Sequence, residues 1–503
     1  MNEKQAKGVT TFCLLFLCEV GSLNGIKEIF CHSALDYRDK KLSLHFILKY
    51  FIKVDMTKVI KLKKGLDINL KGKPAGVVEE SAPCEYYALV PDDFHGVVPK
   101  VVVKPGEHVD AGTPLMYDKN RPEIKFVAPV SGEVVAVNRG ERRKVLDITI
   151  KADAEQTFVE FGKKSADELS GEQMKELLLQ AGMFPFIKQR PYDVIANPDV
   201  TPRDIFVTAW DTAPLAPDFG FVLKGEEAHF QTGLDALRKL TSGKVYVGMP
   251  AKAPIAVSNV ESVLFDGPHP TGNVGVQIQH IAPVNKGEVV WTMNAFDVLF
   301  IGRLLNKGVV DFSRLVAVTG SEVANPVYVR TCVGARIDSL LAGRLTPADY
   351  HRRIISGNVL TGTHISEMDY LRAPHSQLTV IPEGDDCHEL FGWAMPGLKK
   401  FSVSHTYFSW LFPKKSYTLD ARLNGGERAI IMSGEYDRVL PMDILPEFLI
   451  KAVLAFDVEK MENLGIYEVA PEDFALCEFV DTSKLEIQKI IRTGLDELMK
   501  EMN

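Results

Sequence analysis

The sequence lacks any hydrophobic run long enough to cross a membrane. A membrane-spanning helix needs about 20 consecutive apolar residues. The longest candidate stretch, residues 12–18, is far shorter. The chain itself is therefore not expected to span a membrane, although it can sit on a partner that does.

Cysteine is scarce, with seven residues at positions 13, 18, 31, 84, 332, 387 and 477. No two of them form a C-x-x-C pair, so the usual spacing signals for structural zinc and for iron–sulfur clusters are missing. An odd number of separated thiols favours a reducing cytoplasm over a disulfide framework.

Common catalytic signatures are also missing. The chain contains neither G-x-S-x-G nor H-E-x-x-H, which removes the commonest hydrolase signals. Its net charge of −8 disfavours a nucleic-acid surface. The run DDCHE at 385–389 suggests a metal, but adjacent residues cannot all face one ion. We therefore interpret it as a solvated loop and expect no metal.

The length and the residue patterns indicate a multidomain α/β protein. Residues 97–150 alternate Val- and Ile-rich runs with Pro-Gly, Ala-Gly, Ser-Gly and Arg-Gly turns, which predicts a small all-β unit. A capping box at Ser170 and Gln173, an N-cap at Asn294 and a terminating Gly308 predict helix ends. Strands alternating with these helices predict a Rossmann-like parallel sheet, with strands at 205–210, 244–249, 288–293 and 314–319.

One shaped loop dominates the middle of the chain. Residues 265–284, FDGPHPTGNVGVQIQHIAPV, hold three glycines, three prolines and two histidines before a short apolar-alternating element. Neither nucleotide-binding glycine motif fits the loop. Shaped loops on rigid scaffolds commonly carry binding sites, and the alternative is a buried turn between two domains.

The stretch HPTGNVGVQIQHIAPV (269–284) resembles the HPAG loop of the A-subunit family of sodium-translocating NADH:quinone oxidoreductases (Na⁺-NQR). The likeness covers nearly the whole chain from Met56 onward. It extends colinearly through KKGLDI (63–68), FVAPVSGEVVAVNRG (126–140), FVTAWDTAPLA (206–216), RIISGNVLTGT (353–363), ELFGWAMPG (389–397) and DFALCEFV (473–480).

The resemblance implies a domain order. Related families are the Rnf-type C subunit and the complex I flavoprotein subunit. Within the predicted β-grasp module, a helix is expected near 346–355. The implied segments are a non-native or disordered N-terminal extension (1–55), a biotinyl/lipoyl-like barrel-sandwich hybrid domain (56–160), a Rossmann-like α/β domain (161–313), a β-grasp SLBB-like domain (314–385) and a C-terminal helical region (386–503).

The N-terminal extension is expected to be dispensable. The folded pattern and the resemblance both start at Met56, and the alternative is a genuine amphipathic arm around 42–54. A chain that begins at Met56 should fold and assemble normally. Insolubility or failure to join the complex would show that the extension is a real element.

The implied function is that of a cytoplasmic subunit in a sodium-exporting translocase. Such a complex passes electrons from NADH to ubiquinone or menaquinone, and the isolated chain is expected to have no activity. It would sit peripherally on the cytoplasmic side of the bacterial inner membrane through partner subunits, especially the membrane B subunit. The alternatives are a purely structural scaffold of that complex and a stand-alone soluble flavoprotein or NADH dehydrogenase.

The resemblance also implies that flavins and the iron–sulfur centre belong to partner subunits. Where the flavoprotein relative has a glycine-rich R-G-x-G-G-x-G-F-P loop, this chain has MFPFIKQRPYD (183–193). Without those glycines the backbone cannot approach a pyrophosphate closely. Lys119 lies near the prosthetic-group position of the barrel-sandwich but lacks a flanking methionine, so we expect it to be unmodified.

The aromatic and basic segment near residue 190 is the candidate quinone site. A quinone headgroup is flat and carries two carbonyl acceptors, which aromatic faces and a donor would suit. The favoured alternative is that Phe184 and Phe186 are core residues and that Arg190 makes an ion pair. The quinone-proximal candidates are Phe184, Phe186, Arg190, Tyr192 and His269, with Asp211 a weaker one.

Overall fold

Four β-sheets organise the part of the chain that the computed structural model describes, residues 59–386 and 397–502. The expected extension, 1–55, lies outside these residues, as do Cys387, His388 and Glu389 of the DDCHE run.

Two small antiparallel sheets form the N-terminal β unit. One has the order β3-β9-β8-β5 and the other β4-β6-β7, which confirms the predicted all-β unit. Inward-facing residues such as Val134, Ile148 and Ile150 are fully buried. The strands of this unit are β3 (Tyr86–Leu89), β4 (Pro99–Val101), β5 (His108–Val109), β6 (Pro114–Asp118), β7 (Arg121–Val127), β8 (Gly132–Arg139) and β9 (Val145–Ala152). The two strands that precede them, β1 (Val59–Lys61) and β2 (Val78–Glu80), belong to the two larger sheets.

A seven-stranded sheet forms the α/β domain, with helices between its strands. The elements are α1 (Gly171–Gln180), β10 (Lys188–Arg190), β11 (Val194–Ile195), β12 (Ile205–Thr208), α2 (Phe219–Val222), α3 (Glu227–Arg238), β13 (Val245–Pro250), β14 (Glu261–Asp266), α4 (Val274–Ile281), β15 (Val290–Asn294) and α5 (Ala295–Lys307).

The order of this sheet is β1-β14-β13-β12-β15-β10-β11. Strands β1, β14, β13, β12 and β15 are parallel, which confirms the Rossmann-like prediction, and β10 is antiparallel to β15. The chain runs outward from β12 to β14 and returns to β15 on the other side of β12. The strand order therefore reverses between β12 and β15, which is where ligands bind in open α/β sheets.

The predicted helix ends are confirmed. Gln173 donates its backbone N–H to the Ser170 hydroxyl at 3.3 Å, and a reciprocal bond completes the capping box. The Asn294 side chain accepts from the Phe296 N–H at 3.0 Å. Gly308 ends α5 with φ of 79°, a left-handed conformation that glycine adopts at little cost.

A six-stranded sheet follows, in the order β19-β18-β20-β16-β17-β2. The strand predicted at 314–319, the last of the predicted alternation, belongs to this sheet. The helix expected near 346–355 is wrong, because strand β18 begins at Arg352. The paired β-branched residues Ile354 and Ile355 suit a strand. The elements are β16 (Ser313–Thr319), β17 (Val327–Cys332), α6 (Ile337–Leu341), β18 (Arg352–Ser356), β19 (Thr363–Ile365) and β20 (Gln377–Pro382).

The tail is helical from Glu435 onward, as the predicted C-terminal helices require, and packs on the α/β domain. Residues 397–434, which fall in the predicted helical region 386–503, contain the 3-10 helix Phe408–Leu411 as their only helix. Its core joins Leu449, Ile450 and Ile491 to Leu215 and Val276 of that domain. Proline occupies the first position of α8, where its missing N–H has no helical partner to lose. The helices are α7 (Glu435–Val439), α8 (Pro446–Leu454), α9 (Val458–Asn463), α10 (Ala475–Val480) and α11 (Ile487–Met502).

Two short strands between residues 59 and 80 belong to two different sheets. Strand β1 adds in parallel to β14 of the α/β domain, and β2 adds in parallel to β17 of the six-stranded sheet. The stretch 59–80 thus contributes to two sheets before the barrel-sandwich begins at β3.

Helices α3 and α5 cross at two glycines. A Cβ on Gly233 would overlap the Val298 carbonyl, and one on Gly302 would overlap the His229 carbonyl. Backbone atoms cannot yield as a flexible side chain can, so the close approach of these helices depends on both residues lacking a side chain.

We predict that Gly302→Ala lowers the stability by about 1–3 kcal/mol, because the added methyl overpacks a rigid backbone contact. Thermal melting compared with Gly426→Ala provides the check, since a Cβ at Gly426 meets no atom within 4 Å. The Gly426 variant should melt like the parent. Equal melting temperatures for both variants would contradict the crossing described here.

Candidate functional site

A cleft of about 390 Å³ opens where the carboxyl ends of β12 and β15 meet. The β-grasp sheet and the helical tail complete its walls, so the cleft joins three regions of the chain. Its lining includes Phe186, Lys188, Trp210, Asp211, His269, Asn294, Asp297, Leu360, Thr361, His375, Glu472 and Gln488.

Buried titratable groups set the electrostatics of the cleft. Burial lowers the pKa of His269 to about 4 and that of His375 to about 3, so both imidazoles are uncharged near neutral pH. Burial raises the pKa of Asp297 to about 6, against the opposing effect of Arg314, whose guanidinium donates to it at 2.8 Å. Asp211 also lines the cleft, but it is exposed to solvent.

Lys188 brings a cationic side chain to this cleft from strand β10, next to the edge strand β11 of the seven-stranded sheet. Its ammonium lies 3.5 Å from Asp193, and its side chain is 49% exposed. Its charge opposes the rise in the pKa of Asp297 and helps to lower the pKa of His375. The cleft therefore combines apolar walls with an accessible charged donor.

The HPTG loop, residues 269–272, is fastened to two distant motifs. Asp67 accepts from the His269 N–H at 2.9 Å, and the Thr212 hydroxyl shares a hydrogen bond with His269 Nδ1 at 3.1 Å. The same hydroxyl accepts from the Gly272 N–H at 3.0 Å, and the Thr208 hydroxyl donates to the Gly272 carbonyl at 2.9 Å. Three of the colinear motifs thus converge at the cleft.

The loop leads directly into helix α4, so the apolar alternation of VGVQIQHI is not that of a strand. Gly272 does not have a positive φ. Glycine is required there because a Cβ would lie 2.5 Å from the Trp210 carbonyl oxygen.

Arg190 does not line the cleft. Its side chain is 1% exposed, and it donates to Asp473 at 3.2 Å and to Glu472 at 3.1 Å. Burial raises the pKa of Asp473, and the guanidinium opposes that rise. The Asp473 carboxylate lies against Gly275, in the first turn of α4, where the helix dipole favours negative charge. Arg190 is thus the ion-paired structural residue of the favoured alternative.

The aromatic candidates separate into core and cleft residues. Phe184 is fully buried and packs edge-on against Trp291, with ring centroids 5.6 Å apart. Phe186 packs on Phe300 but also reaches the cleft. Tyr192 packs at 6.4 Å on a tyrosine of the tail. The structure therefore brings together Phe186, His269 and Asp211 at the cleft, and leaves Phe184, Arg190 and Tyr192 outside its lining.

Sequence reasoning missed several cleft residues. Trp210 follows the carboxyl end of β12, and Asn294 ends β15, so the position of strand ends would have pointed to both. His375 carries no such signal, because it enters from a loop of another sheet.

Within residues 59–386 and 397–502, no group of three or more His, Cys, Asp or Glu residues could hold a metal ion. Across the same described ranges, no helix has the length and apolar character that crossing a membrane requires.

The fold and the cleft define a class of multidomain proteins that join a barrel-sandwich, a Rossmann-like domain and a β-grasp module. Three family descriptions match in that order: "NqrA N-terminal barrel-sandwich hybrid domain" at 60–153, "NqrA second alpha/beta domain" at 169–310 and "NQRA C-terminal domain" at 315–367. The chain belongs to the NqrA family.

Curated relatives agree along their whole length. The chain is 37% identical over 449 residues to a protein of Yersinia pestis bv. Antiqua and 38% identical over 451 residues to one of Serratia proteamaculans. Each match covers 88% of this chain and 100% of the relative, and each relative is named as the A subunit of a Na(+)-translocating NADH-quinone reductase. A solved NAD⁺-reducing [NiFe]-hydrogenase is 10% identical over 60% of this chain and 55% of its own, with a TM-score of 0.32.

We predict that Arg190→Ala lowers the free energy of unfolding by about 3–5 kcal/mol, because it leaves the buried Asp473 carboxylate without its cation. Denaturant unfolding measures this loss. Arg438→Ala is the matched control, because the Arg438 side chain is 71% exposed and pairs with its helix neighbour Glu435; its removal should cost less than about 1 kcal/mol.

A quinone titration of the Arg190→Ala chain distinguishes the two roles of this residue. An unchanged stability together with a several-fold weaker quinone affinity would contradict the structural assignment.

Proposed function

We propose that this chain serves as the A subunit of a Na⁺-translocating NADH:quinone reductase and takes part in reducing ubiquinone or menaquinone to quinol, coupled to Na⁺ export. One observation carries the proposal: relatives bearing that name align with this chain over their full length. Electrons from NADH reach the quinone through other subunits, and the isolated chain has no activity of its own.

The cleft at the reversal of strand order is the quinone site of this chain. Phe186, Trp210 and Leu360 offer flat or apolar walls, and Lys188 offers a donor for one of the two quinone carbonyls. This assignment replaces Arg190 by Lys188, because the Arg190 guanidinium is occupied by carboxylates of the tail. His269 supports the wall as an uncharged, buried residue.

The chain carries no flavin, iron–sulfur cluster or covalent prosthetic group. In support, residues 183–193 form a 3-10 turn at Phe184–Phe186 and strand β10, which pairs with β15 in place of an open glycine-rich loop. Lys119 lies exposed in the tight turn between β6 and β7 without a flanking methionine. A flavin absorbance band, or a mass shift on Lys119, would contradict this part of the proposal.

The chain assembles peripherally on the cytoplasmic side of the bacterial inner membrane and docks on the membrane B subunit. The relatives are named as one subunit of a reductase, which supports a multisubunit setting. The described residues offer no membrane-spanning helix, which fits attachment through a partner.

We predict that the purified chain binds a short-chain ubiquinone analogue and that Lys188→Met weakens this binding several-fold. Losing one hydrogen bond to a carbonyl costs on the order of 1 kcal/mol. Fluorescence titration gives the affinity and thermal melting checks the fold. Lys252→Met, which removes an 86% exposed lysine of the same domain, is the matched control.

The alternatives give different results in this titration. If the parent chain binds no quinone analogue while still being required for assembly, it is a scaffold of the complex. If Lys188→Met and Lys252→Met bind the quinone equally well, the cleft is not the quinone site.

A further inference from the structure

A short turn in the segment between the β-grasp sheet and the helical tail exposes a cluster of large apolar side chains. The 3-10 helix Phe408–Leu411 forms the turn. Five apolar residues of 397–416 expose roughly half or more of their surface: Leu398 62%, Phe408 46%, Trp410 52%, Leu411 51% and Phe412 50%. We refer to these five residues, with the lysines beside them, as the aromatic–lysine face.

The fold holds this face in place. The buried Ser409 hydroxyl accepts from the Ser402 N–H and donates to the Ser402 carbonyl, both at 3.1 Å. Phe401 packs against Tyr417 at 5.8 Å and against Phe479 of helix α10 at 6.3 Å. The apolar side chains therefore point outward from an anchored turn, and burying them requires something outside this turn.

The charge of this segment is opposite to that of the chain. Residues 397–416 contain four lysines and no carboxylate side chain, within a chain of net charge −8. Lys415 donates to the Leu398 carbonyl at 2.8 Å and lies 6.0 Å from the centre of the Phe412 ring. Lys400 lies 5.5 Å from the Tyr407 ring. Cations thus border the exposed aromatic rings.

We infer that the aromatic–lysine face contacts the surface of an anionic phospholipid bilayer. Aromatic rings sit at the headgroup level of membranes, and neighbouring lysines attract anionic headgroups. Protein–protein interfaces favour arginine and are depleted in lysine, whereas the four cations of residues 397–416 are all lysines. Because the turn is short, only its side chains, and not its backbone, enter the headgroup region of the bilayer.

This contact is separate from docking on a membrane protein of the complex. It gives the chain its own affinity for the bilayer, so it can be measured on the purified full chain without any partner. The quinone titration on the same preparation does not depend on it.

The test is co-sedimentation of the full chain with phosphatidylcholine vesicles, with and without phosphatidylglycerol, at low salt. The parent chain should sediment with the phosphatidylglycerol vesicles and much less with phosphatidylcholine alone. The paired variant Lys399→Gln/Lys414→Gln should weaken binding at least about fivefold, given the contribution of each lysine near an anionic surface. Trp410→Ser/Leu411→Ser should do the same by removing the inserting side chains.

Matched controls lie on other exposed parts of the chain. Lys104→Gln/Lys119→Gln removes two exposed lysines of the barrel-sandwich, and Met368→Ser removes a 68% exposed apolar side chain. Both controls should bind the vesicles like the parent, and thermal melting should show that all four variants are folded.

Two results would overturn the inference. The parent chain could stay in the supernatant with phosphatidylglycerol vesicles, or both face variants could sediment like the parent. If the face variants bind vesicles normally but no longer co-purify with the membrane proteins of the complex, the face docks a protein and the lipid assignment is wrong.

Discussion

The architecture depends on one buried ion pair between parts of the chain that are 283 residues apart. Arg190, at the end of strand β10, meets Asp473 in the tail with both side chains removed from solvent. A buried charge is tolerable only when it is paired and hydrogen-bonded, so neither residue can be placed without the other. The pair fixes the tail against the sheet edge and thereby positions the third wall of the cleft.

A set of hydrogen bonds around Thr212 completes that arrangement. Thr212 bonds the segment after β12 to the HPTG loop, and Asp67, in the stretch before β2, accepts from the His269 N–H of the same loop. Because Gly272 and Gly275 both touch groups that a Cβ would displace, the loop allows a close approach that bulkier residues would prevent.

Local signals in the sequence were sufficient for the elements but not for their distant partners. The capping box at Ser170, the N-cap at Asn294 and the terminator Gly308 follow from contacts within four residues, so they could be predicted. Strands β1 and β2 are three residues long and join sheets formed far along the chain, for which no local pattern exists.

The same limit applies to the site. The sequence favoured an ion pair for Arg190 over a ligand donor but could not name its partner, because Asp473 is distant in sequence and its burial is a tertiary property. The sequence did not reveal helix α4, because its alternating apolar pattern covers only eight residues. That length is too short to separate a period of 2 from one of 3.6. Trp210 and Asn294 were within reach, because they stand at the carboxyl ends of parallel strands.

The cleft and the aromatic–lysine face give the chain two surfaces with different chemistry. One is a cleft at the reversal of strand order that combines apolar walls with charged side chains, while the other is an exposed, cationic and aromatic surface. Both are positioned through the tail, since Phe479 anchors the exposed turn and Asp473 anchors the cleft wall. The same helical tail therefore positions both surfaces.

A double-mutant cycle between Arg190 and Asp473 tests this account most directly. Unfolding free energies of the parent, Arg190→Met, Asp473→Asn and the double variant give the coupling between the two side chains. If the pair holds the tail, each single change is strongly destabilising and the coupling free energy is about 2–3 kcal/mol. A coupling within about 0.5 kcal/mol of zero would show that the pair does not hold the tail to the sheet edge.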